Sequence, residues 1–231
     1  MDYRSSSFPK SLFGILDIIG LDFALTTMRW ASTIFLSSAP VLFSRALLTN
    51  PRTVGAVCPS SSRLARAIAN QVTLPGKDEL ILELGGGTGM VTRALLRRGV
   101  EPSKLVVVEQ NKLLAQHLKR HFPKVAVIHG NAVKLCQLCN RYDRRIGTVV
   151  SSLPLLSLSP ATVQALGIEL QTMLDRNGSL IQYTYRLNNI PGPLTAFLEF
   201  ASAETVWGNF PPARVEVFRA REKRPVSRVM S

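Results

Sequence analysis

Acidic side chains are scarce in this chain: 15 Asp and Glu stand against 28 Lys and Arg over 231 residues, a formal net charge of +13. Such a balance points to an anionic partner, either nucleic acid or an anionic membrane surface, and says nothing about fold. Cysteine is scarce as well. Cys58, Cys136 and Cys139 cannot build a disulfide framework, and their odd number fits a reducing compartment. Cys136-x-x-Cys139 has no second cysteine pair and only His129 nearby, so it reads as two small residues on a helix rather than a zinc site. Long charge-free runs are missing too. The stretch from Trp30 to Ser44 carries no charge, but Pro40 interrupts it and it is shorter than the roughly 20 residues a spanning helix needs. Extending it back to Phe23 would include Arg29. A secretory signal fits poorly, because Asp17 and Asp22 interrupt the first apolar block and Pro40 sits where cleavage would fall. Residues 12–48 are read first as helices lying at a bilayer interface, with a true span and packing against the globular domain as the alternatives.

What remains is an ordinary globular composition, 46% hydrophobic, which excludes disorder as the default. After the Asn50-Pro51 turn, Pro59 and the serines 60–62 offer helix-cap oxygens ahead of Leu64, Ala65, Ile68, Ala69 and Val72. From there short apolar runs alternate with helical patterns. Strands are expected at 80–84, 104–109, 124–128, 147–153 and 179–185, and helices at 88–98, 111–121, 132–140, 160–175 and 193–201. That alternation describes βαβ units on a parallel sheet. The tail VWGNFPPARVEVFRA adds two short strands around Pro211-Pro212, expected to pair antiparallel.

The stretch ILELGGGTGMVTRALLRR, residues 81–98, runs from an apolar strand through four glycines into a helix. In an open parallel sheet the ligand sits where the first strand hands over to the first helix. Met90 stands where a dinucleotide fingerprint needs its third glycine, and no Gly-Lys-Ser/Thr follows for a P-loop. Glu109 ends the next strand, KLVVVEQ, where a carboxylate can take both hydroxyls of a ribose. Turn and carboxylate together predict an adenosine-containing ligand. Two further corners follow. In HGNAVKL the third strand ends at Gly130-Asn131-Ala132, where a side chain meets an adenine edge. In VVSSLPLLSL, residues 149–158, a rigid apolar turn ends the fourth strand, where a substrate would face the cofactor.

In this order the features resemble the class I S-adenosylmethionine-dependent methyltransferases. More narrowly, NPRTVGAVCPSSSRLA, LELGGGTGMVTRALL, VVVEQN, HGNA, VSSLPLLSL and IQYTY are similar to the bacterial phospholipid N-methyltransferases over residues 49–220. The glycine turn is shared widely; the V-G-A-V-x-P-S-S, S-x-L-P-L-L and Q-Y-T-Y segments are the specific ones. The resemblance implies an α/β, Rossmann-like class I methyltransferase fold, a mostly parallel seven-stranded sheet with helices on both faces. An apolar N-terminal helical extension (1–48) precedes the catalytic domain (49–220), and a basic tail (221–231) follows it.

The implied reaction is methyl transfer from S-adenosylmethionine to the amino headgroup of phosphatidylethanolamine and its methylated intermediates, giving phosphatidylcholine. It implies a phospholipid substrate and an anionic membrane surface as partners, at the cytoplasmic face of the bacterial inner membrane, with nucleic acid not expected. Gly85, Gly87 and Gly89 would line the methionine and ribose, Glu83 would orient the methionine amino group, and Glu109 would hold the ribose. Asn131 stands where the family usually has aspartate beside the adenine amine, and as an acceptor it still serves. Gln110, Ala132 and Ser151 complete the expected cofactor side.

On the acceptor side the ammonium headgroup must lose a proton. Tyr183, Tyr185 and the backbone carbonyls of Ser152 and Leu153 are the groups at hand, with Pro154 shaping the turn. Tyr185 is the preferred headgroup contact through cation–π attraction, and Arg186 beside it is the candidate for the lipid phosphate. Two rivals stand beside this reading. A ribosomal RNA adenine N-methyltransferase would share cofactor and charge, but such enzymes carry Asn-x-Pro-Tyr/Phe after the fourth strand to grip a flipped base, and Ser151-Ser152-Leu153-Pro154-Leu155 has neither group. The other is a membrane-peripheral protein that keeps the fold without catalysis.

Overall fold

The computed structural model describes residues 61–187, 190, 192–209 and 211–221. The apolar segment 12–48, residues 49–60 and the tail beyond Arg221 lie outside the described residues, and with them the expected interfacial helices. No helix among the described residues is long and apolar enough to cross a membrane.

Among the described residues twelve main elements follow one another: α1 (Ser61–Asn70), β1 (Glu79–Leu84), α2 (Met90–Arg97), β2 (Leu105–Glu109), α3 (Lys112–His121), β3 (Ala126–His129), α4 (Leu135–Cys139), β4 (Arg145–Ser151), α5 (Pro160–Met173), β5 (Leu174–Thr184), β6 (Glu199–Val206) and β7 (Ala213–Arg219). The strands form one seven-stranded sheet in the order β3-β2-β1-β4-β5-β7-β6. Pairs among the first five strands are parallel, and β7 runs antiparallel to both β5 and β6. β1 and β2 read as near-continuous apolar runs because helices cover both faces of the sheet. On one face α1, α2 and α3 pack through Ile68, Leu95 and Leu118; on the other α4 and α5 pack through Leu135, Leu166 and Leu170.

Local chemistry sets several boundaries. The Asn111 side chain caps α3 by accepting from the amides of Leu113 and Leu114, and Ser159 caps α5 with Pro160 in its first turn. The strand expected to reach 153 stops at Ser151: the Ser152 amide makes the last bond of the β1–β4 ladder, to the Leu84 carbonyl, and Pro154 has no N–H to extend it. The helix expected at 132–140 divides into a 3-10 turn, Ala132–Lys134, and α4.

The helix expected at 193–201 is absent. Only the 3-10 turn Pro193–Ala196 forms there, and β6 begins at Glu199. Strand β6, EFASAETV, is rich in helix-favouring Ala and Glu and largely exposed. Its conformation comes from pairing with β7 at the sheet edge, which local propensity does not report. The antiparallel pair expected in the tail does form, but its first strand lies upstream of Trp207.

Candidate active site

The strand order reverses between β1 and β4, so the crevice opens at their carboxyl ends. The turn after β1 is tied down by the Gly85 amide, which donates to the Val108 carbonyl at 2.8 Å. Gly85, Gly87 and Gly89 all have left-handed backbone, with φ of 75, 54 and 83°, a region that costs other residues about 1–2 kcal/mol. Their surroundings differ. A Cβ on Gly89 would come within 2.4 Å of the Phe122 ring, so that glycine faces the core. Gly87 meets nothing nearer than the Gly85 carbonyl at 3.9 Å and faces open space. Gly86, which the sequence reading left unassigned, is the other tight position. A Cβ there would lie 2.4 Å from Val107 Cγ1 and 2.8 Å from Leu118 Cδ1, so it lets α3 pack close beneath the turn.

Below the turn, Glu83 is wholly buried. Its Oε2 accepts from the Thr92 hydroxyl at 2.7 Å, while Oε1 has no hydrogen-bond partner. Burial pushes the Glu83 carboxyl up to about 8, against the opposing pull of the Thr92 bonds and with a small further push from the Glu109 charge. A buried, half-satisfied carboxylate is costly in isolation and is stabilised by a cationic partner.

Glu109 ends β2 nearly buried. Its Oε2 accepts from the Gly87 amide at 2.9 Å and its Oε1 from the Asn111 amide at 2.8 Å. Each oxygen keeps a second lone pair, so the carboxylate is fixed in orientation and still able to accept two hydroxyls. At the end of β3, exposed Asn131 accepts from the Val133 amide through Oδ1 at 3.1 Å, and Ala132 is buried beside it. Gln110 is exposed, with its carbonyl 3.0 Å from His129 Nε2.

The turn after β4 is anchored from three sides. Ser152 binds Leu84, the buried Ser151 hydroxyl accepts from the Leu153 amide at 3.4 Å, and the Leu153 carbonyl accepts from Gln182 Nε2 at 3.0 Å. The Leu153 carbonyl, expected to receive a proton, is thus engaged in holding the turn. The Leu153 side chain lies over Gly85, and Pro154 is half-buried after it.

Tyr183 and Tyr185 stack edge to face, with ring centroids 5.7 Å apart, against the core on the α1 face. Burial pushes the Tyr183 phenol up, which makes it a poor proton acceptor. Arg186 is exposed just beyond them. Sequence reasoning missed Thr92, Gly86 and two buried polar residues on adjacent strands, Gln182 and Glu216. Thr92 was findable: it stands nine residues past Glu83 on the first helix, within reach of the strand end. Glu216 gives no local signal, since VEV resembles any strand.

No protein-family model matches the chain. A ribosomal RNA small subunit methyltransferase A from Cytophaga hutchinsonii is 31% identical over 77 residues, which cover 32% of this chain. The match spans 29% of that relative's length. Among solved structures, the chain is similar to the N-methyltransferase NodS of Bradyrhizobium japonicum in complex with S-adenosyl-L-homocysteine, with a TM-score of 0.58 at 14% identity over 79% of this chain and 99% of that one. It is similar to the Burkholderia thailandensis 1,6-didemethyltoxoflavin-N1-methyltransferase, with a TM-score of 0.56 at 16% identity over 80% and 89% of the two chains. A TehB-like S-adenosylmethionine-dependent methyltransferase from Corynebacterium glutamicum gives 0.55 at 16% identity over 78% and 99%. Sheet order and structural likeness agree: the chain has the Rossmann-like fold of the class I S-adenosylmethionine-dependent methyltransferases.

Proposed function

We propose that this protein is an S-adenosylmethionine-dependent methyltransferase acting on the amino headgroup of phosphatidylethanolamine and its methylated intermediates at an anionic membrane surface. The cofactor reading rests on fit. Glu83 Oε1 is an unpaired buried acceptor suited to a methionine ammonium, Gly87 offers a face that a Cβ would obstruct, and Glu109 is oriented for a ribose. S-adenosylmethionine, when bound, supplies an activated methyl group. The chain's own residues hold it, keep water out with Leu153 and the post-β4 turn, and present the acceptor amine.

The observation that carries the lipid reading is the rim of the crevice. Leu113 (73% exposed), Leu156, Leu187, Ile190 (60%) and Trp207 (73%) all follow directly on the carboxyl ends of β2, β4, β5 or β6. Exposed Lys112 stands beside Leu113 and exposed Arg186 beside Leu187, and exposed Lys134 follows β3 at the same end of the sheet; exposed bases also lie at the opposite end, Lys77, Lys124 and Arg144 ahead of β1, β3 and β4. Exposed apolar side chains at that end, with a base beside two of them, fit an acceptor drawn from an anionic lipid interface, near 1 kcal/mol per base close to the surface. In vesicle flotation the chain is expected to float with phosphatidylglycerol-containing vesicles. An Ile190→Ser/Trp207→Ser double variant should float less and methylate less vesicle lipid, while binding the cofactor normally. Equal flotation and methylation would count against the rim.

The match to the ribosomal RNA methyltransferase favours a second reading, adenine methylation in RNA. The post-β4 turn lacks the Asn and the aromatic that such chemistry uses to grip and stack a flipped base. Salt-sensitive RNA affinity with no lipid methylation would promote it.

A further inference from the structure

We propose that Gln182 and Glu216, on adjacent strands β5 and β7, form the acceptor-side pocket that binds the N–H groups of the substrate ammonium; the inference rests on the amine-methylating reading above. The two residues are direct partners across the antiparallel pair, so their side chains share a face with Cβ atoms roughly 5 Å apart. The same row of the sheet continues through Ser151 to Leu84, the last residue before the glycine turn. At roughly 4.8 Å per strand, Glu216 stands about 10 Å from Ser151, on the acceptor side of the post-β4 turn.

Both side chains are almost completely buried, and each has an oxygen with no hydrogen-bond partner, Gln182 Oε1 and Glu216 Oε1. The orientation of Gln182 is fixed by chemistry. Its Nε2 donates to the carbonyls of Leu153 at 3.0 Å and Tyr183 at 2.7 Å, and the reverse orientation would set oxygen against both. Arg214 Nε lies 3.7 Å from Glu216 Oε1, close enough to attract and too far to hydrogen-bond, so the oxygen keeps its acceptor positions. Burial raises the Glu216 carboxyl, offset by Arg214, the Gly192 amide and Arg186. A buried acceptor left unsatisfied is destabilising unless a ligand completes it, and two side by side ask for a group with several donors.

The charges around the pair match a zwitterion. Glu216 supplies the negative end, and Arg186, near enough to favour its ionised form, supplies a positive end for a phosphate. An ethanolamine headgroup carries that polarity in reverse. The pair also predicts directionality. Each methylation removes one N–H, so unmethylated substrate makes most use of the two oxygens and the fully methylated product makes none.

The test compares kcat/KM for phosphatidylethanolamine and for its N,N-dimethyl derivative, in mixed vesicles, with wild-type chain and the Glu216→Gln and Gln182→Met variants. Cofactor affinity by calorimetry serves as the check on folding. Both variants are expected to lose about tenfold more on the unmethylated lipid than on the dimethyl lipid, with cofactor affinity within twofold of wild type. Equal losses on the two lipids would assign the residues to holding the turn and overturn the proposal, as would unchanged kcat/KM. A wild-type chain that binds cofactor yet methylates neither lipid would overturn the phospholipid reading itself, and the pocket's assignment with it.

Discussion

Thr92 reaches down from the first turn of α2 to donate its hydroxyl to Glu83 at 2.7 Å, and neither side chain touches solvent. The bond ties the helix that follows the glycine turn to the strand that precedes it. Thr92→Val keeps the shape and removes the donor. It is expected to lower stability by about 1–3 kcal/mol in urea denaturation and to weaken S-adenosylmethionine binding several-fold in calorimetry. Unchanged affinity would mean that Glu83 does not orient the ligand.

Burial pushes the Glu83 carboxyl up to about 8 in the folded chain, from an ordinary value of 4.5. Between those values the folded state holds a proton that the unfolded state has lost. The ligand-free chain should therefore lose stability as pH rises from about 4.5 to about 8, by at most about 1.4 kcal/mol per pH unit from this group, and level off above. Cofactor affinity should move the other way, rising up to about pH 8, because a cationic amino group favours the ionised form. Calorimetry at pH 7 in buffers of different ionisation enthalpy should register proton release, and Glu83→Gln should abolish it.

Glu109 shapes the site as well as filling it, since it receives the amides of both Gly87 and Asn111. Glu109→Ala should cut cofactor affinity more than tenfold while the domain stays folded by circular dichroism. Wild-type affinity would relocate the ribose.

Neighbouring glycines should separate packing from binding. Gly86→Ala drives a methyl into Val107 and Leu118 and should cost about 1–3 kcal/mol of stability. Gly87→Ala meets open space and only backbone strain of about 1–2 kcal/mol, yet its methyl projects where a ligand would approach. Its larger effect should be on cofactor affinity, and the comparison of melting and binding for the two variants checks this.

The parallel half of the fold is legible in the sequence because buried strands such as ELILEL and LVVVE and the glycine turn are local signals. Glu83 and Glu109 are legible for the same reason: each ends an apolar run. Of the antiparallel half only β7, expected in the tail, is legible. EFASAETV looks helical by composition, and only the neighbouring β7 makes it a strand. Gln182 sits inside the IQYTY motif, but its partner Glu216 lies across a strand pair whose register no local pattern fixes, so the pocket they form becomes visible only in three dimensions.

The most direct measurement is transfer of labelled methyl from S-adenosylmethionine to vesicles of phosphatidylethanolamine, with and without phosphatidylglycerol, alongside ribosomal RNA as a competing acceptor. Label is expected in mono-, di- and trimethylated lipid, stimulated by the anionic lipid. Label in RNA alone would contradict that expectation, leaving the cofactor site in place and assigning the acceptor crevice to a nucleobase.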